Sequence, residues 1–317
     1  MKEFDLIAVL RARCAIARDD VLLGIGDDAA LLAAPTRQRL AVSTDTLVAG
    51  VHFPQGASAY AIGWKALAVN LSDLAAMGAE PAWATLALTL PQADVAWVEG
   101  FADGFAALAR QFHVALVGGD TTQGPLSITV TIHGFVPEAV ALTRSGACVG
   151  DGVFVTGTLG DAAAGLRLRE ASGGLGHAAL LARLERPTPR VVQGLILRGS
   201  ANACIDISDG LVADLAHICV ASGVGAEIDA DEAPASPELL ATFDAQMRRE
   251  LQLAGGDDYE LCFTAAESAA ATLLGDLARS GCGGTRIGRI IAGSGVRVHD
   301  AQGRPVAVPR GGWEHFA

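Results

Sequence analysis

The sequence predicts a mixed α/β fold built in two halves. Short apolar runs rich in Val, Ile and Thr alternate with longer alanine-rich stretches at helical spacing. The chain has 317 residues, a length that suits two medium domains with a sizeable core. The regular pattern lapses between Pro137 and Gly150 and restarts at Asp151. That lapse divides the chain into an expected amino-terminal domain, 1–140, and a carboxy-terminal domain, 141–317.

Residues 40–44 read as a strand ending at Asp45. Residues 57–77 read as a helix of alanine and leucine closed by Gly78, with Asn70 and Asp73 on one face. A strand at 82–90 stops at Pro91, and 94–112 reads as helix. Val114–Val117 is a short strand expected to end at Gly118-Gly119-Asp120, and 126–136 alternates as another strand. The connector 137–150 holds Arg144. In the second half, 151–157 restarts a strand, a helix follows from about Asp161, and 188–200 is helical. Cys204–Ile207 is a strand that delivers Asp206, with Ser208 or Asp209 capping the next helix. Strands follow at 259–264 and 285–291; 172–176 and 233–237 read as surface loops.

Lys+Arg is 23 and Asp+Glu is 35, so the formal charge is −12 and the pI is near 5.0. Such a balance argues against a nucleic-acid groove or an anionic membrane surface as the main partner. The two lysines, Lys2 and Lys65, stand in no Gly-Lys-Ser/Thr context, which excludes a phosphate loop of that kind. The six cysteines are scattered without a C-x-x-C pair, as in a reduced compartment. No run of about 18 apolar residues predicts a membrane helix. The acidic start, Met1 to Asp5, is unlike a secretory leader. The expectation is a soluble cytoplasmic protein.

Five short segments place aspartate beside Gly, Ser or Thr: Gly24–Asp28, Ser43–Thr46, Asn70–Asp73, Gly118–Thr122 and Asp206–Gly210. A sixth, Gly255–Glu260, adds three carboxylates. Each alone reads equally well as a turn, a strand-end cap or a solvated acid. Together they carry more weight: such charge cannot converge without cations, and hard oxygen donors suit magnesium. The natural companion of several magnesium ions is a polyphosphate. Asp73 lies in an otherwise apolar helix, where a carboxylate needs a partner. Arg144 is either a solvated charge or a bidentate phosphate clamp. Trp313 either anchors the tail or stacks on a cationic ligand. Neither a Ser/His/Asp arrangement nor a Cys/His zinc cluster is evident, and phosphoryl transfer needs no covalent nucleophile.

In order, Gly-Ile-Gly-Asp-Asp-Ala-Ala, Ser-Thr-Asp-Thr-Leu-Val, Ala-Val-Asn-Leu-Ser-Asp-Leu-Ala-Ala-Met-Gly, Gly-Gly-Asp-Thr-Thr, Leu-Thr-Arg-Ser-Gly-Ala, Ile-Ser-Asp-Gly-Leu and Gly-Gly-Asp-Asp-Tyr-Glu-Leu span the chain. This series resembles the thiamine-monophosphate kinase family of the aminoimidazole ribonucleotide synthetase superfamily. The resemblance implies a two-domain fold whose amino-terminal sheet forms a barrel in a homodimer, with ATP near that interface. It implies direct transfer of the γ-phosphoryl group of ATP to thiamine monophosphate with several Mg2+ ions. By motif, Asp28, Ser43, Thr44, Asp45, Asp73, Asp120, Asp206 and Asp209 become magnesium ligands. Gly119, Asp120, Arg144 and Ser208 become ATP contacts, and His52, Glu260 and Trp313 contacts to the thiamine moiety. Asp257 stands where many relatives carry glutamate. The acceptor's second pKa is about 6, so it is largely deprotonated near neutrality and needs no strong general base.

Two other readings were open to the sequence. Another ATP-dependent branch of the superfamily is one; Cys14, flanked by Arg13 and Ala15, lacks the glycine-rich setting of a selenophosphate synthetase. The other is a nucleotide- or metal-binding protein without turnover, disfavoured because ligands for donor and acceptor are both present.

Overall fold

A computed structural model describes residues 3–172, 176–308 and 312. The chain divides into two compact units: 1–74 with 79–139, and 75–78 with 140–317.

The first unit begins with α1 (Glu3–Arg13) and a two-stranded ribbon, β1 (Val21–Leu23) and β2 (Leu31–Leu32). Then come β3 (Gln38–Val48), α2 (Ala59–Ala76), β4 (Glu80–Leu90), α3 (Val95–Gln111), β5 (Ala115–Gln123) and β6 (Ser127–Pro137). The four long strands form one sheet in the order β3-β6-β4-β5. β4 and β5 run parallel, and α3 is the crossover that parallel neighbours require. Asp94 starts α3 by accepting from the Trp97 amide at 3.1 Å.

Strand alternation gives the sheet two different faces. Ala84, Leu86, Leu88, Ile128, Val130 and Ile132 make one face apolar and buried. This is the face that meets α2, whose Leu74 packs beside Gly134. The other face carries a threonine ladder: Thr44 bonds Thr131 at 2.9 Å and Thr46 bonds Thr129 at 2.8 Å. Leu40 and Val42 extend that face and stay half exposed, at 51% and 54%. On the neighbouring strands at the same end, Val21, Ala30 and Leu32 cover Trp83, Val117 and Phe135. Behind the sheet, α2 and α3 touch backbone to backbone. A Cβ on Gly63 would lie 2.0 Å from the Phe101 carbonyl oxygen, and one on Gly104 only 1.9 Å from that of Tyr60.

The second unit contains β7 (Gly152–Thr156), α4 (Asp161–Ser172), α5 (Ala178–Glu185), α6 (Val191–Leu197), β8 (Ala203–Asp206), α7 (Leu211–Ser222) and β9 (Gly225–Asp229). A 3-10 turn, Ala230–Glu232, leads to α8 (Pro237–Thr242), α9 (Ala245–Ala254), β10 (Leu261–Ala265), α10 (Glu267–Arg279), β11 (Gly284–Ile291) and β12 (Gly295–His299). Six strands form a sheet in the order β12-β9-β11-β7-β10-β8. Val153, Val155, Ile205, Leu215, Ile218, Ala226 and Ile228 are among the fully buried residues that join it to α7.

The structure corrects three local expectations. β3 runs on to Val48, so Asp45 is inside the strand rather than at its end. Gly118-Gly119-Asp120 likewise lies within the edge strand β5. Gly119 tolerates that position because it has no side chain: a Cβ there would sit 1.9 Å from the Leu86 carbonyl oxygen. α7 starts at Gly210 with no side-chain cap, where Ser208 or Asp209 was expected. Residues 173–175 of the expected loop lie outside the described residues.

Candidate functional site

In the first unit the chemistry centres on β3 and α2. Ser43 and Asp45 leave β3 on the helix side, and Asp73 comes from the second half of α2. The Ser43 hydroxyl donates to the Asp73 carboxylate. Asp45 and Asp73 share a further hydrogen bond, and burial followed by the Asp73 charge pushes Asp45 up to about 7. Two carboxyl groups held together this way strain against ionising at once. A hard dication relieves that repulsion, and every donor present is oxygen, so the residues fit magnesium.

Thr44 is not part of that set. Successive strand residues face opposite ways, and its hydroxyl lies on the ladder face with Thr131. Asp120 lies on the same ladder face: it pairs with Ala87, which pairs with Thr129, which pairs with Thr46. Asp120 is exposed, and so is Asp28, whose amide is turned back onto the Asp27 carboxylate at 2.8 Å. Ile25, Gly118, Gly119, Asp120 and Thr121 line one small cavity with Ile7 and Leu10. The segment that carries Asp28 is thereby brought next to the Gly-Gly-Asp segment.

His52 sits in the turn after β3. The Val48 amide donates to its Nδ1 at 2.9 Å, and Lys65, buried in α2, donates to its carbonyl oxygen at 3.2 Å. An accepting Nδ1 places the proton of the neutral ring on Nε2, which makes that nitrogen a donor.

In the second unit, sheet order creates a gathering point. β10 lies between β7 and β8 and is antiparallel to both. The carboxyl ends of β7 and β8 therefore flank the amino end of β10. Three loops meet there: 157–160, 207–210 and 255–260. The Ile207 amide donates to the Glu260 carbonyl, and the Tyr259 and Asp257 amides donate to the carbonyls of Ile207 and Ser208, each at 2.8 Å. Asp257 and Tyr259 hold left-handed φ values of 68° and 51°, and the Tyr259 hydroxyl donates to Asp257 at 2.8 Å. Strain of this kind persists only where the surroundings over-determine the backbone.

Asp206 is buried at the end of β8, with Ser208 and Asp209 half-buried beyond it. Asp214, in the first turn of α7, accepts from the amides of Ser208, Asp209 and Gly210, each at 3.1 Å. Burial and then the Asp209 charge push Asp214 up to about 6, against those three amides. Arg144 is exposed in its connector, where the Ser222 hydroxyl donates to its carbonyl at 3.2 Å.

Glu260 departs from expectation. Its side chain has no exposed surface, so as placed it presents nothing to a ligand. The Thr156 hydroxyl and Arg190 Nε donate to one oxygen at 2.6 Å, and Arg183 and Arg190 reach the other at 2.7 and 2.5 Å. Asp258 stands beside it, accepting from the Gly160 amide at 2.8 and 3.0 Å; burial pushes its carboxyl well up. The physical reason is the position of Glu260 at the mouth of β10, where the strand turns it into the core. It ties Arg183 and Arg190 to the loop instead of contacting solvent.

Among the described residues no group of three or more Asp, Glu, His or Cys side chains stands together as a metal cage. The expected acids are instead divided between the β3–α2 pair, Asp120 on the ladder face, the segment of Asp28, and the 206–210 region. Trp313 lies outside the described residues. Sequence reasoning assigned nothing to Asp214, Arg183 and Arg190. An acid in the first turn after Ser208-Asp209-Gly210 was a readable signal for Asp214. The arginines left none, since their partner is distant in sequence.

A profile of AIR synthase related protein, N-terminal domain, matches residues 26–136, and the corresponding C-terminal domain matches 149–301. A thiamine-monophosphate kinase of Escherichia coli is 49% identical over 99% of this chain and 98% of its own length. The crystal structure of a thiamine-monophosphate kinase from Stenotrophomonas maltophilia superposes with a TM-score of 0.89 at 52% identity, covering 96% of this chain and 98% of that one. A structure of AaThiL complexed with AMPPCP and TMP superposes with a TM-score of 0.79 at 35% identity, covering 99% and 97%.

Proposed function

Because the chain belongs to the thiamine-monophosphate kinases of the AIR synthase related family, we propose that it transfers the γ-phosphoryl group of ATP to thiamine monophosphate. The products are thiamine diphosphate and ADP, and the reaction is the last step of thiamine diphosphate biosynthesis. The observation that carries this reading is the match along 99% of the chain to an enzyme of that name. The relative complexed with AMPPCP and TMP supports both substrates.

In this reading Ser43, Asp45 and Asp73 hold magnesium at the β3–α2 centre. Asp28 and Asp120 are further magnesium ligands of the first unit, and Asp206 and Asp209 are magnesium ligands of the second. The Thr44 hydroxyl is left out of the central set by its orientation. Magnesium, when bound, supplies charge neutralisation between the two phosphate-bearing substrates. Gly119 admits close approach of ligand to backbone, Arg144 and Ser208 contact ATP, and His52 offers Nε2–H to the acceptor. Trp313 stacks on the thiazolium. Glu260 serves through Arg183 and Arg190. The acceptor phosphate enters deprotonated, so the chain has only to orient it in line with the γ-phosphorus and exclude water.

The amino-terminal unit, in this reading, binds ATP and pairs with a second copy through the sheet face that exposes Leu40 and Val42. The carboxy-terminal unit supplies the loops around Asp206 and Gly255. No described helix is long and apolar enough to cross a membrane, and the proposed location is the cytoplasm. ADP release tests the function. It is expected with thiamine monophosphate and Mg2+ and absent with formylglycinamidine ribonucleotide. Binding of ATP and thiamine monophosphate without product would refute turnover.

A further inference from the structure

The loop 207–210 has almost no backbone group left to meet a ligand. Its four amides all point inward: Ile207 donates to the Glu260 carbonyl at 2.8 Å, and Ser208, Asp209 and Gly210 donate to one oxygen of Asp214 at 3.1 Å. The carbonyls of Ile207, Ser208 and Gly210 accept from Tyr259, Asp257 and Asp214, at 2.8, 2.8 and 3.0 Å. Successive amides converging in a turn before a helix ordinarily form an anion nest that grips a phosphate directly. Here the nest is filled by the chain's own carboxylate, which is 2% exposed. A phosphate cannot enter without expelling Asp214. What the loop and the end of β8 before it carry besides backbone is the Asp206 and Asp209 carboxylates and the Ser208 hydroxyl, an oxygen set suited to a hard cation.

We propose that Asp214 is a positioning residue that closes the amides of residues 208–210 to direct phosphate binding, so that the backbone of this loop offers a polyphosphate no donor and the loop's carboxylate meets one only through a divalent cation. The inference rests on the kinase reading and specifies how this loop serves it. Asp214 touches neither substrate; it fixes the direction in which Asp209 leaves the backbone, whereas Asp206 is held by the pairing of β8 with β10. Anything that empties the nest loosens the Asp209 carboxylate and opens a competing anion site.

The test measures AMPPCP affinity by calorimetry with Mn2+ and again with excess chelator, for the full-length protein and for Asp214→Ala and Asp214→Asn. Circular dichroism and a cooperative melt establish that each variant folds. The readout is the ratio of the two affinities. The unsubstituted protein is expected to bind AMPPCP far more tightly with Mn2+. In Asp214→Ala that ratio should fall by about tenfold or more, from weaker Mn2+-dependent binding and from new chelator-resistant binding. Asp214→Asn keeps an acceptor oxygen and should lie between; it carries the test if the alanine variant does not fold. An unchanged ratio in a folded variant overturns the inference, as does chelator-insensitive binding by the unsubstituted protein. Failure of the unsubstituted protein to bind AMPPCP even with Mn2+ overturns the kinase reading itself. ADP release by the unsubstituted protein is scored separately as the test of the kinase reading.

Discussion

Asp45 concentrates the electrostatics of the first unit in one side chain. Its folded-state carboxyl is raised to about 7 by burial and by Asp73, above an unfolded value near 3.9. The folded protein thus binds this proton more tightly than the unfolded chain. The stability it contributes is fully present below about pH 4 and is lost as pH rises through about 7. Asp45→Asn should flatten that part of the metal-free melting profile, compared with the unsubstituted protein across the same pH range. The same substitution should lower turnover by about a hundredfold or more at saturating Mg2+ if, as proposed, Asp45 supplies charge where the phosphates meet. A normal rate would contradict its placement at the centre. Glu260 calls for a different outcome. Its carboxylate is fully buried between Arg183 and Arg190. Glu260→Gln keeps the shape and leaves two arginines short of a counter-charge. A loss of about 3 kcal/mol or more is expected, read as a lower urea midpoint. A change confined to KM for thiamine monophosphate would instead restore direct substrate contact.

At the level of elements, glycines mark where backbones must touch, and their substitutions differ in sign. Gly104 in α3 would place a Cβ 1.9 Å from the Tyr60 carbonyl oxygen of α2. Gly104→Ala must push the helices apart and should cost about 1–3 kcal/mol or more. Gly275 in α10 meets only the flexible end of Arg279, at 3.5 Å. Gly275→Ala should therefore raise Tm, since alanine is favoured in a helix by about 0.5–1 kcal/mol. Paired melting curves of the two variants check both signs. Strand alternation acts at the same scale. It sends Ser43 and Asp45 toward α2 and Thr44 away, although the three are consecutive. The arrangement of β7, β10 and β8 likewise decides that Ser208 meets Asp257 across about fifty residues of sequence.

For the molecule as a whole, the acidic excess is the dominant property. A formal charge of −12, with the Asp45 and Asp73 carboxyl groups held against each other, favours binding of a dication. Mg2+ is expected to raise the melting temperature more than NaCl at equal ionic strength. Part of that difference should vanish in Asp45→Asn. An equal effect of both salts would mean that Mg2+ acts only by screening.

The two-unit α/β plan, the long helices α2 and α3 and the strands β4 and β6 were readable because their periodicity is strong and their ends carry Asp94, Pro91 or Gly78. The acid-bearing motifs were readable because they are local. The short strands β9 and β12 escaped, since brief apolar runs do not distinguish strand from helix without their neighbours, and the helices α9 and α10 were not singled out. Composition and motif order determined the family and its chemistry. Which oxygens share a face, which carboxylate is sealed between arginines and which amides Asp214 takes were decided only by tertiary structure. Those are relations across strands and loops, set by pairing register and burial, and no local stretch of sequence contains them.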